Sequence, residues 1–166
     1  MKPLQSKNAA RWALVAIVLI AFFLRVSHLD TQSLWRDEVD TLEFASEPLV
    51  TLVSKLDAVG HNGPLYFLLL RPWRDLMGAT EFGLRFPSAM AGILVIPIAY
   101  LLARQFYFSR RTGLLLSLFL ATAPYLVWYG QEAKMYTILM ALVTLAFFAY
   151  LRALATGRAS WWALVA

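Results

Sequence analysis

The chain has 166 residues, of which 60% are hydrophobic and 14% aromatic, and its formal net charge is +5. A soluble domain of this length keeps much of its surface in water and cannot bury so much apolar side chain, so a soluble fold is excluded. The absence of cysteine excludes disulfides and thiolate metal sites. The basic residues stand in short groups between apolar runs, which argues against a nucleic-acid partner. We therefore predict an all-α, multi-pass membrane protein.

Four apolar runs approach the roughly 20 residues that a helix needs to cross a bilayer. The first begins at Arg11, reaches about Leu24 and extends towards Leu29. It lacks the small-residue cleavage site of a signal peptide, so we predict a retained helix. The other three runs are residues 86–103, 114–128 and 136–151.

A fifth apolar run begins at "SWWALVA", the last seven residues. Seven residues cannot span a membrane. We therefore expect residues 1–166 to be the amino-terminal transmembrane part of a longer protein.

The basic residues predict the orientation of the four spans, because Lys and Arg in short loops mark the cytoplasmic side. With the amino terminus inside, the inner segments hold eight basic residues and no acid: Lys2, Lys7, Arg11, Arg104, Arg110, Arg111, Arg152 and Arg158. All ten acids then lie outside: Asp30, Asp37, Glu38, Asp40, Glu43, Glu47, Asp57, Asp75, Glu81 and Glu132. We predict a protein of the cell (inner) membrane with a cytoplasmic amino terminus and a periplasmic or extracellular first loop. Four tryptophans fall at predicted span ends, as in aromatic belts: Trp12, Trp128, Trp161 and Trp162.

The first outer loop, residues 28–83, is predicted to hold helices that lie flat on the membrane. The first is "RDEVDTLEFAS" after Trp35, and the second, "PLVTLVSKL", begins at Pro48. The third, "GPLYFLLLRPW", carries a proline and arginines that do not suit hydrocarbon, so it is placed in the interface. We expect Arg71 and Arg74 to anchor it to anionic headgroups.

Two adjacent carboxylates, Asp37 and Glu38, stand at the membrane edge in "SLWRDEVDT". Acids in the first turn of a helix gain about 0.3 to 1 kcal/mol from its dipole, which is reason enough for both. The alternative is a general base at the mouth of a membrane cavity. Adjacent helical residues point about 100° apart, so one can face the cavity while the other holds structure or binds a cation.

The order of several motifs resembles the GT-C glycosyltransferases, in the branch of the protein O-mannosyltransferases and the bacterial aminoarabinose transferase of lipid A (glycosyltransferase family 39). The carboxylate pair follows the first span, as in that family. The stretch "HNGPLYFLLLRPWRDLMGATEFGLRFPSAM" is similar to its Pro-Leu-Tyr helix and Arg-x-Pro-Ser entry to the second span. "APYLVWYGQEAKMYTILM" looks like its second outer loop. Together these motifs cover about residues 33–155.

The resemblance implies transfer of a sugar from a polyprenyl-phosphate donor to an acceptor on the outer membrane face, with inversion at the anomeric carbon. By the same resemblance Asp37 is the catalytic base and Glu38 its supporting neighbour. The resemblance also implies that the second outer loop comes to the rim of the active site, where we expect Gln131 and Glu132 to bind substrate, with a divalent cation as the alternative ligand of Glu132. The acceptor, whether protein, lipid A or another glycan, is left open. For Glu132 a polar turn neutralised by Lys134, or an acid in a first helical turn, is the alternative.

The donor phosphate site is where the sequence departs from its relatives. The aminoarabinose transferases have a Lys before the Pro-Pro-Leu segment, and this chain has His61 and Asn62 at that place. Either side chain can donate a hydrogen bond to phosphate, although a His in a Gly-rich turn is also a common solvated loop residue. Arg85 is a second candidate, for which snorkelling to the interface is the alternative.

A metal ion is not demanded by the sequence. Two histidines and no cysteine are too few for a zinc site without carboxylates. A participating cation would be Mg²⁺ or Mn²⁺, which prefer oxygen ligands.

Two other classes of function are open. Acids and an arginine beside apolar spans are also typical of transporters, although transporter sites lie near the midplane and no acid is predicted inside a span. The third class is a non-catalytic membrane scaffold.

Overall fold

The computed structural model describes residues 7–55 and 64–165. These residues form nine helices and no strand, which confirms the all-α prediction. The helices are α1 (Lys7–Val26), α2 (Arg36–Ser46), α3 (Leu49–Lys55), α4 (Pro64–Met77), α5 (Glu81–Gln105), α6 (Arg110–Thr122), α7 (Pro124–Gly130), α8 (Tyr136–Thr156) and α9 (Ala159–Trp162).

Three of these helices, α1, α5 and α8, are long and apolar enough to cross a membrane. The predicted third span is a broken element, because α6 and α7 meet at an angle of 58° and qualify as a fourth span only when taken together. Pro124 is the first residue of α7, and a proline there cannot continue the hydrogen-bond ladder of α6. The observed spans are longer than predicted at several ends, since apolarity alone does not mark the polar turns of a helix.

The helix boundaries follow local capping chemistry. Thr80 accepts a hydrogen bond from the Gly83 N–H at the start of α5, and Ser109 accepts one from the Thr112 N–H at the start of α6. Gly157 ends α8 in the left-handed conformation with φ of 64°, which glycine adopts without steric cost.

Helix α5 is the centre of the bundle and contacts α1, α4, α6, α7 and α8. The membrane part packs on small and branched side chains that let the helices approach closely: Ala10, Ile17, Ala21, Ile96, Leu114 and Ala121. Inside α5, Pro87 has no N–H for the carbonyl of Gly83, and the Trp73 indole N–H donates to that oxygen instead at 2.8 Å. Helix α4 is thereby attached to α5.

The predicted outer helices are present as α2, α3 and α4, and a second core joins them to the bundle: Ala45, Leu52, Tyr66, Phe67, Leu70, Leu84 and Ala133. The predicted headgroup role of the α4 arginines is not what the structure shows. Arg71 donates to the carbonyl of Glu47, and Arg74 donates to the carbonyl of Ala45 at 2.8 Å. Both guanidinium groups therefore bind carbonyls at the carboxyl end of α2, the negative end of its dipole.

Candidate functional site

A cavity of about 520 Å³ lies where the carboxyl ends of α1 and α7 meet the amino ends of α2 and α5. Six of its lining residues carry the argument below: Trp35, Glu38, Arg85, Trp128, Gln131 and Glu132. The predicted first and second outer loops thus meet at one end of the bundle. The described basic residues of the predicted inner segments, from Lys7 to Arg158, lie at the opposite helix ends.

Glu38 and Arg85 form a buried ion pair at the base of this cavity, and the exposed fractions of their side chains are 0% and 6%. The guanidinium binds the carboxylate through two parallel bonds, Nε to Oε1 at 2.9 Å and Nη2 to Oε2 at 2.7 Å. Two-point pairing of this kind fixes orientation as well as distance. It ties α2 to α5 across 47 positions of sequence.

The remaining N–H groups of Arg85 are also used within the chain. Nη1 donates to the carbonyls of Leu29 and Gln32 at 2.7 and 2.8 Å, and Nη2 donates to the carbonyl of Ser33 at 3.2 Å. A guanidinium has five N–H donors, and all five now have an acceptor. Arg85 therefore neither snorkels nor offers a free donor to a substrate phosphate, and it holds the segment that leads into α2.

Glu38 accepts two further hydrogen bonds, from the N–H of Ala133 at 2.8 Å and from the N–H of Trp35 at 3.3 Å. Burial on its own would raise the pKa of Glu38, but the Arg85 hydrogen bonds, the Ala133 N–H, the Arg85 charge and the Trp35 N–H outweigh burial and lower that pKa. A carboxylate that is paired with a guanidinium and whose pKa is lowered is a weaker base than a free one. Glu38 holds structure, including the capping of α2 that its position in the first turn predicts.

Asp37 is half-buried in the first turn of α2 and is not among the residues that line the cavity. Its backbone carbonyl accepts a hydrogen bond from the Thr41 hydroxyl at 2.9 Å. Its negative charge contributes to raising the pKa of Glu132, so the two carboxylates are electrostatic neighbours. Asp37 is next to the lining residue Glu38 in the same helical turn, and its predicted role as base stays a prediction.

Gln131 joins α7 to the end of α1. Its Nε2 donates to the carbonyls of Leu24 and Ser27, both at 3.0 Å. These bonds satisfy carbonyl groups that the end of a helix leaves without partners. The amide donors of Gln131 are therefore occupied by the chain, although its side chain reaches the cavity as predicted for a substrate ligand.

Glu132 is 8% exposed and accepts a hydrogen bond on Oε1 from the indole N–H of Trp128 at 2.7 Å. Burial is the main reason that its pKa is raised. The Trp128 bond and the Lys134 charge oppose this effect, while the charges of Glu38 and Asp37 add to it. The charge of Lys134 acts on Glu132 as predicted, but burial outweighs it, so the pKa of Glu132 is raised.

Arg25 is a structural residue that the sequence analysis did not single out. It is 1% exposed, and its Nη1 and Nη2 donate to the carbonyls of Ala121 and Leu120, each at 2.9 Å. Those carbonyls belong to the last turn of α6, which the Pro124 break leaves without helical partners. In the sequence, Arg25 is an arginine one turn before the end of an apolar run. An ordinary interfacial arginine stands at the same kind of position, so the sequence does not reveal the structural role.

Room for Arg25 comes from two glycines. A β-carbon at position 92 would lie 3.1 Å from Nε of Arg25, and one at position 130 would lie 3.3 Å from its Cγ and Cδ. Only a residue without a side chain leaves that space. Together with Gln131, Arg25 fixes α1 to the bend between α6 and α7, and so positions Trp128 and Glu132.

The predicted phosphate ligands His61 and Asn62 lie outside the described residues. His28, the other histidine, lines the cavity with φ of 69°, a left-handed conformation in which histidine is enriched among residues other than glycine. Within residues 7–55 and 64–165, no three His, Asp or Glu side chains are grouped so that they could hold a metal ion.

Comparison with known proteins identifies one family. The family model described as dolichyl-phosphate-mannose-protein mannosyltransferase matches residues 61–166, more than half of the chain. The match includes Arg85, Gln131 and Glu132 and begins after Asp37 and Glu38. The searches of curated proteins and of solved structures found no match.

Proposed function

The chain belongs to the dolichyl-phosphate-mannose-protein mannosyltransferase family, and from that premise we propose that it transfers a sugar from a polyprenyl-phosphate donor to an acceptor at the outer membrane face. Family membership makes it a membrane glycosyltransferase of the GT-C type, as its motifs predicted. This class replaces the transporter and scaffold alternatives.

The observation that carries the proposal is the position of the cavity. It opens at one end of a bundle of apolar helices long enough to cross a membrane, so a lipid-linked sugar can keep its chain in the bilayer and its polar head among the lining residues. Its lining combines aromatic rings with a few oriented polar groups, as is typical of small-molecule sites.

We assign the base to Asp37. Among residues 7–55 and 64–165, Glu38 is paired with Arg85 and Asp37 has no cationic partner. The Glu38 junction fixes α2 against α5, and we propose that Asp37 acts on the acceptor from the same helical turn. A base there takes the proton from the acceptor hydroxyl as that oxygen forms the new bond to the anomeric carbon and the lipid phosphate departs.

The leaving phosphate needs hydrogen-bond donors or positive charge. Since the N–H groups of Arg85 are engaged, we assign this task to His61 and Asn62, which precede α4. The acceptor is a hydroxyl-bearing protein, lipid A or glycan.

Release of polyprenyl phosphate tests this function. The intact protein is reconstituted in liposomes with polyprenyl-phosphate mannose, glucose or aminoarabinose and offered extracts of cell-envelope protein and lipid as acceptors. We expect protein-dependent release of polyprenyl phosphate together with label in an acceptor. Parallel reactions with Mg²⁺, Mn²⁺ or EDTA test our expectation that no cation is required. Absence of release with every donor would overturn the proposal.

The proposed topology predicts opposite labelling of two introduced thiols. Because the chain has no cysteine, Ala79→Cys and Ser160→Cys each introduce a single thiol. Both residues are exposed, one before α5 and the other at the start of α9. We expect an impermeant maleimide to label position 79 in intact cells and position 160 after permeabilisation alone. The reverse pattern would place the cavity in the cytoplasm and contradict the proposal.

A further inference from the structure

Trp128 differs from an ordinary belt tryptophan in where its polar edge points. A belt residue turns its N–H towards the headgroups and water. Trp128 instead donates its N–H at 2.7 Å to Glu132, an acid that is only 8% exposed, while 62% of the tryptophan surface stays exposed. The indole ring is therefore held by its polar edge, and its apolar surface is left open beside the cavity.

The second carboxylate oxygen of Glu132, Oε2, is available to a ligand. Among the described residues, Oε1 of Glu132 accepts the Trp128 N–H, and Oε2 accepts no hydrogen bond. Both residues line the cavity. An ionised carboxylate can only accept hydrogen bonds, so Oε2 requires a donor from whatever enters.

A sugar ring can make the two contacts that this pair leaves open, packing on the Trp128 ring and a hydrogen bond to Oε2 of Glu132. One face of a pyranose presents C–H groups that pack on an aromatic ring, and its hydroxyl groups donate strong hydrogen bonds to a carboxylate. The two contacts demand one ring orientation, because Trp128 and Glu132 are themselves fixed to one another. A bare apolar ligand would leave Oε2 unpaired.

Resting on the proposed function, we propose that Trp128 and Glu132 form the binding subsite for the sugar ring of the lipid-linked donor, with Trp128 as the stacking platform and Glu132 as the hydroxyl acceptor. We assign the pair to the donor because Trp128 lies in the last turn of α7, at the end that leads out of the membrane part of the bundle, and because the charge of Asp37, the proposed base, acts on Glu132.

Substitutions at both positions test the subsite in the intact, reconstituted protein. Trp128→Ala removes ring and donor, Trp128→Phe keeps an aromatic face without the N–H, and Glu132→Gln keeps an acceptor for the indole but removes the charge. Trp12→Ala is the matched control, because Trp12 is 74% exposed on α1 and lies outside the cavity lining. The measurements are KM and kcat for the polyprenyl-phosphate sugar, and equilibrium binding of the radiolabelled donor.

We expect Trp128→Ala to raise the donor KM and weaken donor binding by about tenfold, a typical loss for one well-packed aromatic contact. Trp128→Phe should lose about threefold, and Glu132→Gln about tenfold with an altered preference among donor sugars. The acceptor KM should stay within about twofold, and Trp12→Ala should match wild type. A purely structural role would lower the amount of folded protein without changing donor KM.

The outcomes separate the two proposals. Wild-type turnover with unchanged donor KM and binding in both Trp128→Phe and Glu132→Gln would overturn the subsite and leave the proposed function intact. Donor binding without turnover in wild type would overturn the proposed function. In that case weaker donor binding by Trp128→Phe and Glu132→Gln would support the subsite, and unchanged binding would overturn it. A wild-type protein that neither binds nor consumes any donor of the panel would overturn both.

Discussion

Glu38→Gln is expected to cost about 3 to 5 kcal/mol of stability, the usual loss when one partner of a buried ion pair is removed. The substitution leaves the guanidinium of Arg85 buried and half-paired, and it weakens the acceptor of the Ala133 N–H at 2.8 Å. The expected result is little folded protein and a clear fall in thermal stability. Fluorescence-detected size-exclusion chromatography after heating measures both.

The matched control is Glu43→Gln, which makes the same chemical change on the exposed side of the same helix. Surface substitutions of this kind usually stay within about 0.5 kcal/mol. The double variant Glu38→Gln with Arg85→Gln should recover part of the loss, because no unpaired charge stays buried. If Glu38→Gln and Glu43→Gln melt alike, the junction does not stabilise the outer helices.

Acidification should reproduce part of this effect in the wild-type protein. Because the pKa of Glu38 is lower in the folded chain than in the unfolded chain, its stabilising contribution is complete above the ordinary carboxyl range and is lost as pH falls through the lowered pKa. The difference in melting temperature between wild type and Glu38→Gln should therefore shrink on acidification. The comparison also controls for other carboxylates, which both proteins share.

Asp37→Asn is expected to abolish sugar transfer while leaving the fold and donor binding unchanged. An amide keeps the size and much of the hydrogen bonding of the acid but cannot take a proton from an acceptor hydroxyl. General base catalysis contributes about 10²- to 10⁴-fold, so kcat should fall by that factor. The polyprenyl-phosphate release assay measures turnover, and donor binding is measured on the same preparation.

Asp40→Asn is the control, since Asp40 lies one turn further along α2 on its exposed surface. It should retain wild-type turnover. Asp37→Glu, which moves the carboxylate by one methylene, should keep partial activity. If Asp37→Asn turns over normally, the base is not Asp37. In that case the raised pKa and cavity position of Glu132 make it the next residue to test.

Most of the fold was predictable because apolar length and capping residues act locally. The four apolar runs follow from apolar length, the helix after Trp35 from its first-turn acids, and the placement of α4 outside the spans from its proline and charges. The 58° bend was not predicted, although Pro124 stood in the sequence. A proline is compatible with either a kinked or a broken span, and the choice depends on whether the freed carbonyls find partners, which here come from Arg25.

The site was only partly predictable, because side-chain partners separated by many residues leave no local signal. The span prediction put Glu38 and Arg85 on the outer side, and the family resemblance brought Gln131 and Glu132 to the same rim; the structure places all four around one cavity. The sequence could not show that the N–H groups of Arg85 donate to Glu38 and to three loop carbonyls. The sequence also could not distinguish Trp128 from a tryptophan of the aromatic belt, because the two differ in the direction of the indole N–H.

The close fit of Arg25 between two glycines has a consequence for how this protein can vary. The β-carbon of an alanine at either glycine position would lie 3.1 to 3.3 Å from the Arg25 side chain, so Arg25 would have to shift by a few tenths of an ångström from its bonds to Leu120 and Ala121. Conversely, a smaller residue at position 25 would open a void beside positions 92 and 130. We therefore expect these three sites, far apart in the chain, to be coupled, so that the cost of a substitution at one depends on the residues at the other two.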